Sequence, residues 1–389
     1  MEIKFRKLFF LLLIGSMILS SSTVTACTGF TATKNNITLV GNNNDWRYPD
    51  THIKVDPATN EEYGTFIIET KLKLPWNPDF INKCGGFNDQ GLFYEKYNIY
   101  PKKIPIKSIY KKIFRPIYDL EYYCLKHCSN VEEVVEIYSK YNLFFMFSYQ
   151  SFFVDKNGSS VIIEGDRLLY KKDDYQVVTN FLQSQTDNIE CKRYLTAVEM
   201  LETMNNFTFE YFTSILNETY LNTHGFCTQN SQVYNLSSGE IYLYFHHKFD
   251  KFIKFNLTEE LEKGKHNYHI PSLFEDEENN PPTIPQAPKI HDKKFFNRKY
   301  KFYTIANDSD KDQMYYKWDY GDGTISDWDG PFDSNQVATN YDFHFYKEIG
   351  KYNIRVKSRD IYGMESNWSE SLELKIGFIN YLFKIIKTI

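Results

Sequence analysis

Cys27 lies three residues into the segment VTACTGFTATKNNITLVGNNNDW, residues 24–46, where a stretch with the marks of an export leader ends. A thiolate is the nucleophile, and a free cysteine with a pKa of about 8.5 is only partly ionised at neutral pH. If cleavage falls after Ala26, Cys27 becomes the first residue of the mature chain. Its own α-amine, with a pKa of about 8, then takes the thiol proton directly or through water. One residue supplies both nucleophile and base. The chemistry further requires a carboxylate to hold the amine, donors for the oxyanion of a tetrahedral intermediate, and a cleft.

The leader reading rests on Lys4, Arg6 and Lys7, an apolar run from Leu8 to Leu19, and the small polar stretch Ser20 to Ala26. The apolar run is about a dozen residues, against roughly 20 needed to cross a bilayer, so residues 1–26 are expected to be a signal peptide. Val24 and Ala26 are the small residues wanted before a cut. The mature protein is then expected to be secreted or held at the cell surface. "VTAC" also fits a lipoprotein signal, in which the Cys27 sulfur becomes a thioether anchor and the amine is blocked. The two fates exclude each other in one molecule.

At 389 residues the chain is long enough for two domains, each with its own core. A formal charge of -5 supplies no basic excess, so nucleic acid is not an expected partner. Export permits disulfides, yet setting Cys27 aside leaves five cysteines, so at least one of them is unpaired within the chain. Cys124 and Cys128 stand one helical turn apart and read as helix packing or disulfide halves, since a zinc site wants four ligands. His127, His224, His246 and His247 show no ligand spacing, and neither a metal nor an organic cofactor is expected.

Residues 271–290 carry an acidic cluster and four prolines in FEDEENNPPTIPQAPK, an interdomain linker by composition. Residues 27–270 before it mix strands and helices. CTGFTATKNNITLVG breaks at Lys34-Asn35-Asn36, predicting a hairpin with Cys27 at its leading edge. SSVIIEG, YQVVTNF and EIYLYFHH read as strands from their β-branched and aromatic content. Ser129 followed by Glu132 predicts a capping box before an apolar-periodic helix, and IECKRYLTAVEMLETM predicts a second helix. Interleaved hairpins and helices argue for an α+β domain. Asn-x-Ser/Thr sequons, among them Asn206, Asn217 and Asn256, are candidate glycosylation sites in an exported chain.

With its hairpin and its Cys-Thr opening, "CTGF…LVGNNNDW" resembles the start of the choloylglycine hydrolase and penicillin V acylase family. Those are N-terminal nucleophile cysteine hydrolases that cleave linear amides. The resemblance implies a four-layer α/β/β/α sandwich and places the family's aspartate, which orients the cysteine and its amine, at Asp45. GGFNDQGLFYEKYNIYP is similar to a downstream family segment and implies that Asn98 is an oxyanion donor. VVTNF implies the same of Asn180, and CKRYLTAVEML places the family's active-site arginine at Arg193. The family often carries arginine where this chain has Asn42, a substrate-binding position by this resemblance. A neutral amide there neither helps ionise the thiol nor grips an anionic substrate. The implied substrate is a small N-acyl amide, and the resemblance also admits a homo-oligomer. Without it, Asp45 reads as a turn cap, Asn98 and Asn180 as loop residues, and Arg193 as a solvated helix side chain. An N-acyltransferase using the same nucleophile, or a lipid-anchored binding protein on a degenerate scaffold, are the alternatives.

Residues 291–376 resemble a PKD-type repeat, an extracellular sandwich of immunoglobulin-like architecture, most specifically at Trp318-Asp319-Tyr320-Gly321-Asp322-Gly323-Thr324. Asp322-Gly323 suits a tight turn and Trp318 a sandwich core. Asp308, Asp310 and Asp312 have the spacing that opens a calcium loop, but no glycine or closing glutamate follows, which favours a solvated acidic turn. Such a domain is expected to make cell-surface or glycan contacts. Residues 377–389 form an apolar tail expected to pack on the domain.

Overall fold

The computed structural model describes residues 27–47, 50–74, 77–99, 112–113, 119–142, 149–223, 226–275, 278–294 and 298–377. The expected leader, His224 and all but the first residue of the apolar tail lie outside them. Among the described residues no helix is long and apolar enough to cross a membrane.

Strands β1 (Thr28–Lys34) and β2 (Ile37–Trp46) form the expected hairpin. Asn35 and Asn36 turn it at φ 51° and 61°, the left-handed pair that matches strand twist and that asparagine tolerates. The chain continues through β3 (Thr51–Asp56), β4 (Thr65–Leu74), β5 (Asn77–Asn88) and β6 (Leu92–Asn98). A short parallel pair, β7 (Lys112–Ile113) and β8 (Tyr141–Asn142), brackets helices α1 (Leu120–His127) and α2 (Val131–Lys140). Next come β9 (Tyr149–Asp155), β10 (Ser160–Glu164), β11 (Arg167–Tyr170) and β12 (Tyr175–Val178). Helices α3 (Lys192–Glu202) and α4 (Phe209–Thr219) precede β13 (Asn222–Thr223), β14 (Phe226–Asn235), β15 (Glu240–Phe245) and β16 (Lys248–Asn256). Helix α5 (Leu257–Glu262), β17 (His266–His269) and helix α6 (Ile270–Phe274) complete the first domain.

These strands make two antiparallel sheets. One runs β12-β1-β2-β14-β15-β16 with β13 on β14, and the other β11-β10-β9-β6-β5-β4-β3-β17. Alternation along the strands explains the packing. Phe66 and Ile68 of β4, with Phe152 and Val154 of β9, join Val40, Tyr234 and Leu243 in a core between the sheets. Ile67 and Phe153 point the other way, onto Leu120, Cys124, Leu125 and Val134 of α1 and α2. Phe30, Leu39 and Val233 likewise leave the first sheet to meet Ala197, Phe212 and Leu216 of α3 and α4. Central strands buried on both faces therefore read as nearly continuous apolar runs.

The cap of α2 sits one residue later than the sequence suggests. Asn130 is the N-cap and accepts from the Glu133 N–H, while the Glu133 carboxylate accepts from Ser129 N. Both Ser129 and Asn130 can cap, and the second wins because the helix starts at Val131, a buried residue. All six cysteines are free thiols, Cys124 and Cys128 being packing residues under α1.

The second domain holds β18 (Lys289–Lys294), β19 (Lys299–Thr304), β20 (Met314–Asp319), β21 (Asp329–Phe332), β22 (Ala338–Thr339), β23 (His344–Phe345), β24 (Gly350–Asp360) and β25 (Leu372–Ile376). They form two four-stranded sheets around a core with Trp318 fully buried at its centre. Gly321 and Gly323 take positive φ in the turn after β20, where Asp322 accepts from Thr324 N. The Asp308 carboxylate accepts from the N–H groups of Asp310 and Asp312, Asp310 accepts from Asn280 N, and Asp312 pairs with Lys248. Their charges are thus spent on a turn, the linker and the domain seam.

That seam is intimate. Tyr315 and Ile361 of the second domain belong to the inter-sheet core of the first. The Tyr315 hydroxyl accepts from Gln229 Nε2 at 2.9 Å and lies 3.6 Å from Cys227 Sγ, both on β14.

Candidate active site

Cys27 stands just before β1, partly buried, its Sγ 3.9 Å from the backbone oxygen of Asp45 near the end of β2. Arg193, in the first turn of α3, reaches the same point from the helix layer. Its Nη1 donates to the Cys27 carbonyl at 2.9 Å, to Thr28 Oγ1 at 2.9 Å and to the Asp45 carboxylate at 3.3 Å. Its Nη2 donates to Asn180 Oδ1 at 3.3 Å, just past β12, and Asn180 Nδ2 donates to the Asn98 carbonyl at 2.8 Å, at the end of β6. One guanidinium therefore ties a hairpin, a helix and a strand end together, and Asn180 extends the chain of contacts into the other sheet. Of the residues singled out in the sequence, Cys27, Asp45, Asn180 and Arg193 meet there, and Asn98 joins them through its backbone carbonyl.

Asn42, the sixth, is fully buried in β2. Both N–H groups of its side chain are engaged, with Asn44 Oδ1 at 2.9 Å and Glu95 Oε2 at 3.1 Å, and its oxygen accepts from the Tyr97 hydroxyl at 2.6 Å. No amide donor is left over for a substrate. Asn42 bears on the site through Glu95 and Tyr97.

Neither of those β6 residues was singled out in the sequence, and both depend on glycines facing them. A Cβ at Gly85 would overlap the Glu95 carboxylate, and one at Gly29 would overlap the Tyr97 hydroxyl. Glycine allows the close approach that carries each polar group across the gap. Thr228 was also missed. It pairs with Asp45 in the β2–β14 register, and its Oγ1 donates to Asp45 Oδ1 at 2.5 Å. A β-bulge at Gln229 separates Thr228 from Asn230, aiming the threonine at Asp45 and Gln229 at Tyr315. The one available signal was TQNSQ, a polar run inside a strand whose ten residues are all buried.

The electrostatics follow from burial. Asp45 is pushed up to about 7, chiefly by desolvation, with Arg193 and the Thr228 hydrogen bond pulling the other way. Glu95 rises to about 8 for the same reason, opposed mainly by Lys96. Burial raises the Cys27 thiol well above its ordinary value, and the Asp45 and Glu95 carboxylates raise it further. Cys84, a second thiol in electrostatic reach of Cys27, is pushed up to about 12 by burial and Glu95. With these neighbours, Cys27 needs an adjacent proton acceptor before it can attack.

Among solved structures, the chain is similar to a point variant of conjugated bile acid hydrolase from Clostridium perfringens, at 17% identity over 62% of this chain and 96% of that one, TM-score 0.49. It is also similar to penicillin V acylase from Agrobacterium tumefaciens, at 18% identity over 61% and 89%, TM-score 0.42. The PKD domain of an M14-like peptidase from a Thermoplasmatales archaeon matches at 28% identity over 26% of this chain and 99% of that one, TM-score 0.23. No family model and no curated protein matches the chain.

Proposed function

We propose that this protein is an exported cysteine amidohydrolase that cleaves the linear amide of an N-acyl compound, using Cys27 as the first residue of its mature chain. The observation that carries the reading is the Arg193 guanidinium, which holds the Cys27 carbonyl, the Asp45 carboxylate and Asn180 at one point. Cys27 precedes β1, so a cut before it removes no strand residue. The helix pairs packed on the outer face of each sheet support a four-layer α/β/β/α sandwich of the N-terminal nucleophile type. The two-sheet second domain suits an immunoglobulin-like, PKD-type appendage making surface or glycan contacts.

In this mechanism the α-amine takes the thiol proton and the sulfur attacks the amide carbonyl carbon, forming a C–S bond. Asn98 and Asn180, with a backbone N–H, stabilise the oxyanion. The ammonium passes its proton to the leaving nitrogen and the C–N bond breaks, leaving a thioester. Water, deprotonated by the amine, attacks that thioester, releases the acid and restores the thiol. Asp45 orients the amine, Arg193 fixes Asp45 and the Cys27 carbonyl, and Glu95 supplies a buried carboxyl beside the sulfur. Neither a metal nor an organic cofactor takes part in these steps.

Intact mass and Edman sequencing of the exported protein, with Cys27→Ser assayed on a panel of N-acyl amides that includes penicillin V and bile-salt conjugates, test the proposal. A free Cys27 terminus and loss of turnover in the variant are expected. An acylated Cys27, or equal turnover by variant and wild type, refutes it.

A further inference from the structure

On the outer face of the second sheet, far along its edge, β3 pairs with β17 so that His52 lies opposite His269. Residues paired this way project to the same face, and the two imidazoles sit 5.0 Å apart between centroids. Asp50, just before β3, turns its carboxylate into the space they share. Its Oδ1 lies 3.5 Å from His52 Nδ1 and 3.9 Å from His269 Nε2, and the three ligand atoms all fall within 4.8 Å of one another. Zinc bonds of about 2.0–2.1 Å in a tetrahedron set ligand atoms about 3.3–3.5 Å apart, so the first distance already fits, the second needs a shift of a few tenths of an ångström, and the two imidazole nitrogens, within 4.8 Å of each other, close by at most about 1.5 Å.

His269 is also oriented from behind. Its Nδ1 pairs with Ser272 Oγ at 2.7 Å, in helix α6, which leaves Nε2 facing the carboxylate. An outer partner of this kind commonly fixes the ring of a metal-binding histidine. The charges facing the two rings include Lys71 and Arg359, which oppose a cation, and Glu275, which favours one. All three side chains remain partly exposed, at 22% for His52, 43% for Asp50 and 35% for His269, so an ion has a path in.

We propose that Asp50, His52 and His269 bind one divalent cation of the zinc type, with a fourth position left to water. The set N₂O with imidazole donors suits zinc better than calcium or magnesium, which prefer oxygen alone. Bound there, the ion joins β3 to β17 directly before helix α6, the last element of the first domain.

Metal-stripped full-length mature protein titrated calorimetrically with zinc tests this, with cobalt as a spectroscopic probe. One zinc per chain is expected. His52→Ala and His269→Ala should each weaken it by more than the roughly 10-fold expected for Ser272→Ala. Cobalt spectra should lack a thiolate charge-transfer band, and near-ultraviolet dichroism should report each variant as folded, with Asp50→Asn as the mildest change. The proposal is overturned if no zinc binds, if both histidine variants bind as the wild type does, or if binding follows Cys27 or Cys84 instead.

Discussion

Replacing Thr228 by valine removes one hydroxyl and keeps the shape of the side chain. That hydroxyl donates to Asp45 and accepts from the Leu221 N–H at 2.8 Å. A hydrogen bond to a charged group contributes about 1.5–3 kcal/mol, and one pKa unit corresponds to about 1.36 kcal/mol. Losing it should raise Asp45 from about 7 by a further one to two units. If ionised Asp45 holds the Cys27 amine, the acid limb of a kcat/KM profile moves upward by the same amount, and Thr228→Ser stays near the wild type. Stability gives an independent reading. Asp45 is raised in the folded state above its ordinary 3.8, so the folded chain holds the extra proton between about 4 and 7 and loses stability from this group as pH rises through that window. In Thr228→Val the loss continues to higher pH, with about 1–3 kcal/mol more at every pH from the orphaned Leu221 N–H. An unmoved acid limb, with activity reduced equally at every pH, refutes the role given to Asp45.

Arg193→Met leaves the Asp45 carboxylate buried without its cation, and should cost about 3–5 kcal/mol in chemical denaturation at pH 8, less at pH 5 where Asp45 is protonated in the folded state. Tyr315→Phe removes one of three acceptors around Gln229 Nε2, leaving Trp46 O and Cys227 Sγ at 3.0 Å, and should lower stability by about 1 kcal/mol. Both domains should still unfold in one calorimetric transition. Asn36→Val forces a β-branched residue into left-handed backbone at the β1–β2 turn and should cost about 1–2 kcal/mol, whereas Asn36→Gly should not.

The hairpin around Asn35 and Asn36 was legible because turn chemistry is local in sequence, whereas Asp45, Asn98, Asn180 and Arg193 were singled out only through the resemblance of the short segments that carry them. Thr228 was not, because it meets Asp45 across 183 residues through a strand pairing that no local pattern encodes. Glu95 and Tyr97 were not singled out, because the Asn42 amide that gives them meaning lies on the opposite sheet. Asn42 was given a substrate-binding role by the family resemblance, and nothing local in the sequence signals the three partners that enclose it. The site at Asp50, His52 and His269 escaped notice because its two histidines are 217 positions apart, and only the β3–β17 register makes them neighbours.

Because Tyr315 reaches into the packing of the other lobe and grips the bulged residue next to Thr228, the C-terminal sandwich is not a tag that can be clipped off cleanly. A tug on that lobe arrives within one residue of the Thr228 hydroxyl that is hydrogen-bonded to Asp45.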